Sequence, residues 1–197
     1  MPRVLTCFRV QGDLRTAAEL SRREHVLLSR RALRDTPVSE LPDKIDAIRA
    51  AERAFAVLGV RHALIGGLAV GVRSGVPRAT LDVDYAIPSE ADREQVAAGF
   101  ESQGLTRTGT FAHSTHFRHA SGEPVQLAAD VRFDPMIERA EVLTFGDLSV
   151  PVVTTADLIA MKRLAAADPG RRRSKALRDQ ADIALLEGDV PEPGEGW

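Results

Sequence analysis

A single cysteine, Cys7, stands among 197 residues, which excludes an intramolecular disulfide and any cysteine metal cluster. No run of about 18 apolar residues occurs, and the amino terminus lacks the hydrophobic centre of a signal peptide, so neither membrane insertion nor export is expected. A reducing cytoplasm is the expected compartment. Lysine is nearly missing, three residues against 23 arginines, so each retained lysine raises the question of what a compact ammonium does there. The net charge is only −2, but it hides an asymmetry: residues 1–34 carry eight arginines against three acids, leaving the remainder near −7.

Against these absences stands one dense stretch, Arg78-Ala79-Thr80-Leu81-Asp82-Val83-Asp84, which follows the doublet Gly66-Gly67. Side chains alternate along a strand, so Asp82 and Asp84 share a face and can grip one hard cation together. Leu81, Val83 and Tyr85 would then turn to the core. The glycine pair lets a phosphate approach the backbone closely at the start of a helix.

The hydrophobic fraction of 44% supports one principal core. Residues 1–42 form a basic extension and linker, with Arg22, Arg23, Arg30, Arg31 and Arg34 interleaved among leucines as in an amphipathic helix. Such a helix can touch nucleic acid, or pack on the domain by its leucines. Asp43 is placed to cap a helix through Ile45, Ile48, Ala51, Phe55 and Leu58, ended by Gly59. Residues 61–65 are expected as a buried strand, Leu68 to Arg73 as a short helix, and Ser89 as the cap of a helix running to about Gly104. Strands are expected at 105–111, 115–120, Val125 to Val131 and Leu148 to Val153, with a short helix at Met136 to Ala140. Thr154 or Thr155 starts a helix that Asp168-Pro169-Gly170 stops, and a last helix carries Leu177, Ala181, Ile183 and Leu185. This divides the chain into 1–42, a core at 43–153, a helical part at 154–190 and a disordered tail at 191–197. The fold class is α/β (α+β), a mixed twisted sheet flanked by helices, with a C-terminal helical pair and the basic N-terminal helical extension.

Four elements in order carry a resemblance: Gly66-Gly67-Leu68-Ala69; Arg78-x-Thr80-x-Asp82-x-Asp84; VVTTADLIAMK from Val152 to Lys162; and Arg178-Asp179-x-x-Asp182-Ile183. Over residues 45–187 the chain resembles nucleotidyltransferases of the DNA polymerase beta superfamily, and more narrowly the AbiEii/AbiGii toxin-like group. The resemblance implies a nucleoside triphosphate substrate and Mg²⁺ or Mn²⁺ held by Asp82 and Asp84. It implies transfer of a nucleoside monophosphate to a hydroxyl on tRNA, a protein or a small molecule, in a protein that works beside an antitoxin as in type IV toxin-antitoxin systems. Gly66, Gly67, Arg78, Thr80 and Lys162 match the nucleotide-binding positions. Asp179 and Asp182, on one helix face, match a supporting signature with Arg178.

The third carboxylate departs from the pattern. Where relatives place an acid in a run such as Val-Asp-Leu, this chain has Val125-Gln126-Leu127. Asp130 keeps the parity of Gln126 but lies about 13 Å further along an extended strand, so it reaches the site as a catalytic acid only through a bulge or register shift. Otherwise the third acid is missing, Gln126 stands in its place, and the alternative is a weakly active or non-catalytic nucleotide-binding protein on the same fold. His113, His116 and His119 are read as hairpin surface residues rather than metal ligands. Arg73 and Arg78 either steer a triphosphate or balance the acidic pair. A phosphatase of the haloacid-dehalogenase type fits less well, since Tyr85 follows the pair and Gly-Gly precedes it.

Overall fold

The computed structural model describes residues 44–76 and 80–190; the basic extension, the Asp43 cap, Arg78 and the tail 191–197 lie outside the described residues. Helix α1 spans Lys44–Leu58 and buries Lys44, Ala47, Ile48, Ala51 and Phe55, one stripe at helical spacing. Strand β1 (Ala63–Ile65) is buried at every position and runs directly into α2 (Gly66–Ser74). Strand β2 (Val83–Ile87) follows, then α3 (Arg93–Ser102), β3 (Leu105–Thr110), β4 (Ser114–His119) and β5 (Pro124–Ala129). A short 3-10 turn, Val131–Phe133, leads into α4 (Asp134–Glu138), β6 (Glu141–Phe145), β7 (Leu148–Val152), α5 (Thr155–Ala167) and α6 (Arg173–Glu187).

The strands form one seven-stranded mixed sheet in the order β3-β4-β5-β2-β1-β7-β6. Strand β2 lies at its centre, antiparallel to β1 and parallel to β5. One face is covered by α1 and α3, where Phe55 meets Tyr85 and Phe100 edge-on and Phe100 packs against Phe117. Each such buried ring contributes about 1.5–3 kcal/mol by leaving water. The Tyr85 hydroxyl donates to Glu52 Oε1 at 2.8 Å, and Glu52 Oε2 lies 3.0 Å from His62 Nε2, so the polar atoms in this cluster are satisfied. Burial, reinforced by Glu52, pushes the Tyr85 phenol well above its ordinary value. The opposite face, toward which Asp84 points, carries α2, which packs in turn against α5 and α6.

Several expectations are corrected by local chemistry. The helix after Ser89 is capped by Asp92, which accepts from the Glu94 and Gln95 amides, while the Ser89 hydroxyl donates to Asp134. Strand β5 ends at Ala129 instead of Val131, because the Asp130 side chain accepts from the Arg132 amide and turns the chain. Leu81 is 52% exposed instead of facing the core. Strand β6 adds to the expected set, and the strand placed at 61–65 begins at Ala63.

Candidate active site

The site grows from the junction of β1 and α2. Gly66 has φ +71°, a left-handed conformation that suits glycine, and it is the first residue of α2. Ile65 pairs with Asp84 across the sheet, which sets the Asp84 carboxylate against the Gly66 Cα. A Cβ at Gly66 would lie 2.8 Å from Asp84 Cγ and closer still to Oδ2. Glycine is therefore required here twice, for its backbone and for the carboxylate. Ile65 offers no side-chain cap to the first amides of α2, a helix terminus of the kind that receives anions. Asp82 immediately precedes β2 and, like Asp84, is half-buried.

The Asp84 neighbour on β5 is Gln126, in a parallel register that runs without a shift from Val83 opposite Val125 to Ile87 opposite Ala129. The bulge that would bring Asp130 to this position is absent from the β2–β5 pairing. Asp130 instead stands beyond the end of β5 and holds Arg132 through two hydrogen bonds of 2.8 Å, which keep its carboxyl down at about 2. The structure thus brings Gly66, Gly67, Asp82, Asp84 and Gln126 together and leaves Asp130 outside. The oxygen donors of Asp82 and Asp84 fit a hard divalent ion. Among the described residues no group of three His, Cys, Asp or Glu side chains could hold one alone, so triphosphate oxygens would have to complete its coordination.

Lys162 is engaged by two buried acids, at 2.9 Å from Asp179 Oδ1 and 2.7 Å from Asp182 Oδ2. Arg171 closes on the other Asp179 oxygen. Burial pushes Asp179 up, but Lys162 and Arg171 outweigh it and hold the carboxyl below the ordinary range. Asp179, Asp182 and Leu186 are the buried residues of α6, on a helix that packs on α2 and α5. Arg178 is exposed, and Thr80 is half-buried just before the acidic pair. Arg73 donates to the carbonyls of Val152 and Val153 at 2.8 Å, fastening α2 to the end of β7. Of the histidines, His113 precedes β4, His116 lies on it beside Ser114, and His119 bonds Ser121.

Two residues near the site are not singled out by the sequence patterns. Lys44, 1% exposed, pairs with the equally buried Glu123 and donates to the Leu81 carbonyl at 2.9 Å, fixing the backbone just before Asp82. Burial pushes the Lys44 ammonium down to about 8, against the pull of Asp82 and Asp84. Its position on the apolar stripe of α1, in a chain with three lysines, is the available signal.

Residues 49–193 match the family described as nucleotidyl transferase AbiEii toxin, type IV TA system, well over half of the chain. The chain belongs to that family. Among solved structures it is similar to the antibiotic-resistance factor ANT(2'')-Ia, with TM-score 0.55 and 17% identity, covering 74% of this chain and 85% of that one. It is also similar to the lincosamide antibiotic adenylyltransferase LnuA bound to lincomycin, with TM-score 0.54 and 13% identity, covering 76% and 99%. At such identities these likenesses establish the nucleotidyltransferase fold. No curated protein sequence matches the chain.

Proposed function

We propose that this AbiEii-family protein moves a nucleoside monophosphate from a nucleoside triphosphate to a hydroxyl acceptor, as the toxin of a toxin-antitoxin pair. One observation carries the reading: the Asp84 carboxylate and the amino terminus of α2 meet at Gly66, so a cation-binding oxygen and an anion-receiving backbone share one point. Asp82 and Asp84 would hold Mg²⁺ or Mn²⁺, which when bound neutralises charge on the triphosphate oxygens. Gly66 and Gly67 admit the phosphates to the backbone in this reading, and Arg78 and Thr80 are the further donors assigned to the nucleotide. Lys162, held by Asp179 and Asp182, braces the helices that support α2 rather than reaching a phosphate on its own.

The acceptor is a tRNA, protein or small-molecule hydroxyl in this reading. A similar structure solved in complex with adenylyl-2"-tobramycin supports including the small molecule in the test. The test is incubation with each of four α-labelled nucleoside triphosphates and Mg²⁺, offering total RNA, the protein itself and an aminoglycoside as acceptors. Label that appears with wild type and disappears in Asp82→Ala supports transfer. A second reading rests on Gln126: an amide cannot accept the acceptor proton as a carboxylate does, which favours a nucleotide-binding protein without transfer. Triphosphate binding with no label on any acceptor would establish that second reading.

A further inference from the structure

Directly opposed residues on neighbouring strands share a face, and the Asp84 row can be followed across the sheet. Asp84 on β2 is opposite Gln126 on β5, Gln126 is opposite His116 on β4, and His116 is opposite Gly109 on β3. Their alternating neighbours Val83, Val125, Leu127 and Phe117 are buried on the other face, whereas Asp84, Gln126 and His116 are only half-buried. His116 therefore stands two strand spacings from Asp84, about 10 Å, with the Gln126 amide between them.

The imidazole is held there. The Phe111 ring lies 4.7 Å from it by centroids, and a Cβ at Gly109 would meet that ring at 3.0 Å, so glycine leaves room for Phe111 to close the outer side. On the strand itself His116 Nε2 is 3.2 Å from Ser114 Oγ. Among the described residues Nδ1 has no hydrogen-bond partner. Among the described residues the charged side chains on this face are Asp84, with Asp82 just ahead of it, and Arg118, which donates to the Gly122 carbonyl.

We infer that His116 takes the proton of the acceptor hydroxyl, the task left open by an amide at Gln126. This deepens the transferase reading and rests on it. An acceptor hydroxyl seated over Gln126 lies between Asp84 and His116. Its oxygen forms a bond to the α-phosphorus. The bond from that phosphorus to the bridging oxygen breaks, and pyrophosphate leaves with the electron pair. The hydroxyl proton passes to a ring nitrogen of the His116 imidazole, which returns it to water after the step. Gln126 positions the hydroxyl by hydrogen bonding and takes no proton.

The test measures label incorporation and triphosphate binding in wild type, His116→Ala, His116→Gln, Gln126→Asp and the Gln126→Asp/His116→Ala pair. His116→Ala is expected to lose about 10²-fold in kcat while triphosphate binding stays unchanged. His116→Gln should stay equally low, and added imidazole should restore turnover to His116→Ala in a saturable manner. With Gln126→Asp in place a carboxylate stands in the row, and the further loss on His116→Ala should shrink to about twofold. Wild-type turnover in His116→Ala, absence of imidazole rescue, or a full loss in the double variant would each overturn the inference while leaving transfer established. An unlabelled acceptor with wild type would instead overturn the transferase reading and the inference with it.

Discussion

Gly66→Ala isolates the contact on which the site is built. The residue has φ +71°, where an L side chain costs about 1–2 kcal/mol. Gly59 has φ +64° with open space where a methyl would stand, so Gly59→Ala carries the backbone cost alone. At Gly66 the methyl also meets Asp84, 2.8 Å from Cγ and 2.9 Å from Cβ, and overpacking of that kind adds about 1–3 kcal/mol. Gly59→Ala should therefore lower Tm by roughly 2–8 °C, at about 2–4 °C per kcal/mol for a domain of this size, and leave triphosphate binding intact. Gly66→Ala should cost about 2–5 kcal/mol and abolish binding, because Asp84 must swing away from the α2 terminus. Adding Asp84→Gly removes the opposing side chain, so the double variant should recover the steric part of the loss in melting temperature but none of the binding. Equal melting temperatures for Gly59→Ala and Gly66→Ala, or a double variant no more stable than additivity predicts, would mean that Asp84 does not press on the Gly66 position.

Lys162→Met leaves Asp182 and Asp179 buried with one cation fewer, and should cost about 3–5 kcal/mol in denaturant unfolding. Arg163→Ala, which breaks an exposed pair with Glu187 one position along, should cost under about 1 kcal/mol; similar losses would deny the clamp its role. Because the Asp179 carboxyl is held below its ordinary value, its contribution to stability is complete above about pH 4 and is lost as pH falls toward the lowered value. Acid titration of Tm should show that loss in wild type and a shallower one in Lys162→Met. Asp130→Ala should leave label incorporation unchanged, since its carboxylate is spent on Arg132. An inactive Asp130→Ala would return that residue to the site and overturn the register argument.

What the sequence made legible is what local spacing decides. The Asp-x-Asp alternation, the turn at Gly66 and the helical stripes of α1 and α5 each depend on residues close in the chain. Misplaced boundaries have local causes as well: Asp92 outcompetes Ser89 as a cap because its carboxylate accepts from two amides, and Asp130 bends the chain where hydrophobicity alone would continue β5. Strand β6 leaves no mark in the pattern because Glu141, Val142 and Thr144 are exposed at the sheet edge and show no buried alternation.

Strand order is a different matter, because it is settled by pairings between distant segments. Nothing in Val125-Gln126-Leu127 reveals which residue stands beside Asp84, or that His116 lies on the far side of Gln126; both follow from β5 being inserted between β2 and β4. Lys44 falls between these cases. Its rarity and its place on an apolar stripe are visible in the chain, and a buried ammonium demands a counter-charge. The identity of that partner, Glu123, depends on the start of β5 coming to lie beside the entry to β2. The same parallel pairing therefore fixes both ends of the candidate site: it seats Glu123 to secure the backbone ahead of Asp82, and it sets an amide where an acid would complete the carboxylates. The buried Lys44–Glu123 pair thus secures the backbone that carries Asp82 up to Asp84, and in the proposed transfer the amide at Gln126 leaves proton removal from the acceptor, not the carboxylate pair, as the task another side chain must fill.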